Sequence, residues 1–248
     1  MIPGIDVSHW QDDKSTPQKI DFKKAKDAGA QFVFIKVSER GSIDRDYEYN
    51  WETAKAAGLP RGGYHFLRWD LPAVTQARIF CAVMKDDPGE LPPVADFEAP
   101  PYGSYKPTPQ FLLQFLIEVE TITGKIPIVY TSRGFWNSYG NSDLTWLFYP
   151  LWIAHYTGAS NPKLPKPWVN WLFWQYGVFP RGHEFGAESK LIDLDWYNGS
   201  LLDLYALAGQ GVIQPPIPSQ PDVTVRVSNL EFKFNQFINC VKKLGNNS

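Results

Sequence analysis

The chain has few of the residues that build metal and disulfide sites: two Cys, four His and two Met in 248 residues. Cys81 and Cys240 are too few for a disulfide framework or a cysteine-based zinc site. None of the four histidines stands in a His-x-His or His-Glu-x-x-His spacing, so a histidine-built metal centre has no sequence support. Runs of Lys or Arg are missing, and 24 basic against 26 acidic residues give a net charge of −2. That excludes the electrostatic footprint of a nucleic-acid binder or of a protein drawn to an anionic membrane surface. No apolar stretch approaches the ~20 residues of a membrane span. The opening Met-Ile-Pro-Gly-Ile-Asp also lacks the basic start and apolar segment of a signal peptide. The expectation is a protein made in the cytoplasm, without membrane insertion. There is neither a Gly-x-Ser-x-Gly elbow nor a Gly-x-x-x-x-Gly-Lys phosphate loop, which removes the commonest serine hydrolases and P-loop enzymes.

What is present is apolar and aromatic. Hydrophobic residues make up 44% and charged residues 20%, enough for a sizeable core and too apolar for disorder as the main state. Aromatics reach 15%, with ten Trp and twelve Tyr. A large aromatic core is the commoner cause of such a number; a sugar-binding groove is the second.

Short β-rich apolar runs recur at residues 2–7, 32–37, 63–67, 93–97, 126–130, 151–154, 171–175 and 191–194. The run Phe32-Val33-Phe34-Ile35 reads as a strand covered on both faces. Between the early runs, residues 22–28 and 46–57 read as helices closed by Gly29 and Gly58. Thr108 and Pro109 open a third that reaches Thr123 before Gly124. Strand and helix alternating at roughly 30-residue spacing is the βαβ pattern. The last three runs start closer together, and Pro162, Pro165 and Pro167 occupy a connection where no ordinary crossover helix fits. The expected fold is α/β, an irregular TIM-like (β/α) barrel of eight strands with fewer than eight helices; an open doubly wound sheet is the alternative. The barrel is expected to occupy residues 1–209, followed by a Pro-rich linker at 210–221 and a short tail at 222–248 that reads as a strand plus an amphipathic helix.

Acids lie where barrel chemistry is done, at strand ends. Asp6 follows the first strand core, Asp96 and Glu98 end the fourth, and Asp193 and Asp195 sit in the last. A charge inside an apolar strand is costly unless it is paired or used. Spacing of two on one strand turns Asp96 and Glu98 to the same face. Crowding of like charges raises a proton affinity, as a general acid working near neutral pH requires. Glycoside hydrolysis needs such an acid and a second group to stabilise or capture an oxocarbenium-like centre. A metal site built from Asp6, Asp96, Glu98 and Asp193 with His65 or His155 is the competing reading, without supporting spacing.

The stretch Gly4-Ile5-Asp6-Val7-Ser8-His9-Trp10-Gln11 resembles the opening of family 25 glycoside hydrolases, the Chalaropsis-type muramidases. Further similar segments follow in order: Phe34 to Glu39, Gly63-Tyr64-His65-Phe66, Asp96-Phe97-Glu98, Val129 to Ser132, Leu151 to Tyr156, Trp174-Gln175-Tyr176 and Ile192-Asp193-Leu194-Asp195. The resemblance implies a lysozyme that cleaves peptidoglycan at the β-1,4 bond between N-acetylmuramic acid and N-acetylglucosamine. It implies Glu98 as general acid, Asp96 as its partner, Asp6 and Asp193 as the remaining acids, and Tyr64, Tyr130, Trp152, Tyr156, Gln175 and Asp195 as groove residues. Asp193 fits the motif better than Asp195. The acids suffice as proton donor and charge stabiliser, so no metal or other cofactor is called for, and the chain is expected to act as a monomer. Together with the missing signal peptide, the resemblance suggests a phage endolysin released onto the wall. A non-catalytic glycan-binding barrel is the reading from a different class; the intact acids favour the enzyme.

Overall fold

The computed structural model describes residues 1–12 and 19–209; the expected linker, the expected tail and Cys240 lie outside the described residues. In chain order the elements are β1 (Ile2–Val7), α1 (Phe22–Asp27), β2 (Val33–Glu39), β3 (Ser42–Ile43), α2 (Tyr47–Ala56), β4 (Arg61–Phe66), α3 (Ala73–Val83), β5 (Val94–Asp96), α4 (Pro109–Thr123), β6 (Ile128–Ser132), α5 (Arg133–Tyr139), β7 (Leu151–Ala154), β8 (Phe173–Phe179), β9 (Ile192–Tyr197) and α6 (Leu201–Leu207). Side-to-side the sheet runs β1-β9-β8-β7-β6-β5-β4-β2, and a β1–β2 pairing closes it. Eight strands thus form the barrel, and β3 is a short addition folded back on β2. The open-sheet alternative is excluded by that closing pair.

One element departs from a parallel barrel. β1, β2 and β4 through β8 pair parallel, whereas β9 is antiparallel to both β8 and β1. The twelve-residue connection from β8 to β9 holds no helix. A parallel crossover needs a dozen or more residues, usually helical; a hairpin return only has to turn. The N-terminal end of β9 therefore lies where the other strands end.

Sequence signals account for most helix ends. Asp21, Thr108, Ser132 and Ser200 cap α1, α4, α5 and α6 with side-chain oxygens, and Gly124 ends α4 at φ +68°. α3 had no such signal to read: it starts after Pro72 without a side-chain cap and has no acidic residue in its first turn.

Two apolar cores follow from the closed sheet. The larger lies between helices and the outer face of the strands, with Phe80, Phe97, Phe115, Trp136 and Trp174 among its members. The smaller fills the barrel: Phe32, Phe34, Trp152 and Phe173 are enclosed there, with Phe34 stacked on Trp152 at 4.4 Å and edge-on to Phe173 at 4.9 Å. Gly62 makes room for this plug, since a Cβ there would come within 2.3 Å of the Phe34 ring. Most of the aromatic content is core. It stops short of one end of the barrel, and polar residues begin there.

Candidate active site

Above the aromatic plug the two-residue period of the strands keeps turning side chains inward. β1 contributes Asp6, β2 Lys36, β4 Tyr64 and Phe66, and β6 Tyr130. Residues just past β5 and β7 add Glu98 and Tyr156 to their own Asp96 and Trp152. All of these, with Gln175 from β8 and Asp193 from β9, line one cavity of about 470 Å³. The structure therefore brings together the four proposed catalytic acids and five of the six proposed groove residues. The sixth, Asp195, lies behind the wall: it is fully buried and is not among the lining residues.

The reversed direction of β9 explains that separation. Asp193 is level with Asp6 and Asp195 with Gly4, one step deeper into the barrel. Asp195 accepts a hydrogen bond from Trp152 Nε1 at 2.8 Å, and its Oδ2 is buried without a donor among the described residues. Burial holds both Asp6 and Asp195 above the ordinary carboxylate range, and the Asp195 charge raises Asp6 further.

Gln175 organises the opposite side of Asp6. Its Nε2 donates to Asp6 Oδ2 at 2.8 Å, while its Oε1 accepts from Tyr130 Oη at 2.8 Å and from Tyr156 Oη at 2.9 Å. One amide thereby orients an acid and two phenols. The Tyr130 hydroxyl also lies within reach of Glu98, so its single proton is shared between Gln175 and that acid. Burial pushes Tyr64, Tyr130 and Tyr156 above the usual phenol range, with neighbouring carboxylates adding to it, so all three are hydrogen-bond donors at working pH.

Every acid of the group holds its proton more tightly than usual, and burial is the largest cause for each. Asp6, Asp96 and Asp195 are held well above the ordinary carboxylate range. Glu98 is raised by burial and then by the Asp193 charge; its hydrogen bond from Tyr130 and the Lys36 charge pull the other way. Asp193 is pushed up to about 6. Asp96 is buried more deeply than Glu98 and is raised further by the Glu98 charge. The pair titrates as a unit and keeps a proton toward neutral pH. Glu98 and Asp193 remain half-buried and face the cavity, whereas Asp6 and Asp96 are only 8% and 5% exposed. Asp96 Oδ1 is buried without a hydrogen-bond partner among the described residues.

Several lining residues carried no role in the sequence reading. Lys36 is a buried cation within the barrel, donating to Glu39 at 2.6 Å and lying 4.8 Å from the Phe66 ring centre. A lysine two positions after Phe34, inside an apolar strand, was the available signal. Trp10, 72% exposed, stands at the rim with Leu191 and Val178, and Phe66 and Gln11 complete the walls. Single exposed apolar residues have no period, so nothing assigned Leu191 or Val178 to the groove, and Trp10 stood in the opening motif without a role of its own.

The histidines required by the competing metal reading are engaged elsewhere. His65 is fully buried, bonded to Ser38 Oγ at 2.8 Å and Gln76 Oε1 at 2.9 Å. His155 Nδ1 accepts from the Lys163 backbone at 3.1 Å. Among the described residues no three His, Cys, Asp or Glu side chains are arranged to hold a metal ion.

Comparison with known proteins points the same way as the geometry. The sequence profile of Glycosyl hydrolases family 25 matches residues 5–179. The uncharacterized protein YegX of Escherichia coli K12 is 33% identical over 223 residues, covering 87% of this chain and 76% of that protein. Lysozyme M1 of Streptomyces globisporus is 32% identical over 219 residues, 84% of this chain and 71% of that one. The crystal structure of the bacterial lysozyme from Streptomyces coelicolor matches with a TM-score of 0.72 at 30% identity, covering 84% of this chain and 97% of that one.

Proposed function

Since the chain belongs to glycosyl hydrolase family 25, it is a peptidoglycan-hydrolysing glycosidase of the lysozyme type, and we propose how its acids divide the work. Glu98 protonates the leaving oxygen of the β-1,4 bond between N-acetylmuramic acid and N-acetylglucosamine. The observation that carries this is its position: Glu98 combines raised proton affinity with a carboxyl that still reaches the cavity. Asp96 is its partner, lining the cavity beside it and sharing the proton of the pair in the free enzyme. Asp193 supplies negative charge from across the barrel, where positive charge develops at the anomeric carbon. Asp6 is held by Gln175 and fixes the wall behind. Tyr64, Tyr130, Trp152 and Tyr156 hold the sugars by ring contact and hydroxyl hydrogen bonds.

Glu98→Gln keeps the shape and removes the transferable proton. Its kcat on soluble glycan fragments should fall about 10²–10⁴-fold, with folding unchanged by circular dichroism and fragment binding retained. A folded variant with near wild-type release of reducing sugar would overturn the assignment.

A further inference from the structure

A second cavity of about 350 Å³ opens beside the catalytic one and shares Lys36 with it. Its wall is the β2–β3 hairpin and the residues just after it. The two cavities differ in chemistry. The catalytic one is lined by Trp and Tyr rings; the second has no Trp, Tyr or Phe in its lining and three basic side chains, Lys36, Arg40 and Arg45. A sugar subsite would want aromatic faces. This one offers cations.

The acids in that wall are already engaged. Glu39 accepts from Lys36 at 2.6 Å and from Arg68 at 2.7 Å, and Asp44 is bonded to the His9 ring at 2.6 Å. Arg45 serves the framework through the backbone oxygens of His9 and Asp12, both at 2.9 Å. Arg40 is different. Only its Nε is used, donating to Asp70 at 2.9 Å, and its two terminal nitrogens have no partner among the described residues. Its side chain is 54% exposed. It stands at the turn between β2 and β3 with φ +54°, a left-handed conformation unfavourable to any residue with a Cβ.

We propose that the second cavity receives the peptide carried by the glycan and that the Arg40 guanidinium forks onto a carboxylate of that peptide. This rests on the peptidoglycan reading above. Alternate sugars of that polymer bear a short peptide with free carboxylates on their lactyl group, and a glycan seated at Glu98 must place that substituent beside the catalytic cavity. The two terminal nitrogens of an arginine match a carboxylate in geometry and charge.

The test compares wild type, Arg40→Gln and Arg40→Gly on two soluble glycans from one wall preparation, one bearing its peptides and one stripped of them by an amidase. On peptide-bearing glycan both variants should raise KM about three- to tenfold with kcat unchanged, the size expected of an exposed charge-assisted contact. On stripped glycan, which retains the bare lactyl carboxylate, they should match wild type. Added salt should shrink the difference between wild type and variants. Arg40→Gly removes the left-handed strain along with the guanidinium, so an equal loss in both variants ties the effect to charge rather than to the turn. Equal KM changes on both glycans, or no change on either, would overturn the proposal. Wild-type inactivity on both would instead strike the hydrolase reading and this proposal with it.

Discussion

Asp193→Asn should stabilise the folded protein near neutral pH while weakening its activity. The Asp193 carboxyl is held at about 6 in the folded protein against an ordinary 3.8, because burial disfavours its ionised form. The folded state therefore binds this proton more tightly than the unfolded chain. Stability linked to it is fully present below pH ~4 and is lost as the pH rises through about 6. At about 1.4 kcal/mol for each tenfold change in proton affinity, the ionised group costs about 3 kcal/mol at pH 7. Asp193 is partly exposed and shares its repulsion with Asp6 and Glu98. Solvent screening and that sharing leave about 1–2 kcal/mol assignable to this one group. An asparagine cannot ionise, so the variant escapes the loss. For a unit of this size the gain corresponds to a melting temperature about 2–8 °C higher at pH 7.5 and unchanged at pH 3.5. Thermal unfolding of both proteins at the two pH values measures it, and kcat on soluble glycan should fall in the same variant. Asp195→Asn should reduce kcat less, because Asp195 lies behind the cavity wall. An Asp193→Asn offset of equal size at both pH values would trace to packing, and destabilisation at pH 7.5 would refute the linkage argument.

Three further outcomes are expected. His65 is neutral because burial lowers its pKa to about 4 from 6.5; stability tied to it is present above pH 6.5 and lost as the pH falls toward 4, about 3 kcal/mol in all. Its imidazole resonance should show no titration above pH 5 by NMR, and a midpoint near 6.5 would mean the ring is not sealed. Gln175→Leu leaves Asp6, Tyr130 and Tyr156 without the amide that joins them, which should cost about 2–4 kcal/mol in denaturant unfolding and lower kcat; wild-type stability would show that water replaces the amide. The reaction should retain configuration: Asp96 and Glu98 come from one strand face and are badly placed to flank a sugar, which leaves the substrate's own 2-acetamido group to attack the anomeric carbon. Proton NMR of the first product anomer checks this, and an inverted anomer would assign the attack to a water activated from across the barrel.

Much of the site was legible because a strand has a period of two. Asp96 and Glu98 share parity, as do Asp193 and Asp195 and the pair Phe34 and Lys36, so once each run was read as a strand the inward set followed. Lys36 obeyed the same rule; it stayed without a role because a lone lysine is usually read as a solvated end, and only the barrel showed it enclosed. Of the helices that were read, α1 and α4 announce themselves with side-chain caps, and α1, α2 and α4 all end at a glycine. α3 lacks those marks and is held by packing of Ala77, Phe80 and Cys81 into the outer core. That is a tertiary cause no local signal carries. The Arg61 ion pairs with Asp87 and Glu90 were equally silent, since they join residues 26 and 29 positions apart.

Strand direction was a further feature that residue types could not supply, and it decides how the last two acids differ. In a parallel β9 the later residue, Asp195, would lie nearer the mouth and Asp193 deeper. The antiparallel return reverses this: Asp193 faces the cavity level with Asp6, and Asp195 drops to the level of Gly4. Depth then sets chemistry. The outer acid keeps contact with water and is pushed only to about 6, so it carries charge in the working pH range. The inner one is fully buried against Trp152 and held well above the ordinary carboxylate range, so it supports the wall without adding a full charge. Two identical residues two positions apart thus become an electrostatic group and a positioning group. The hairpin between β8 and β9 makes the difference, and no property of the Asp-x-Asp motif itself does.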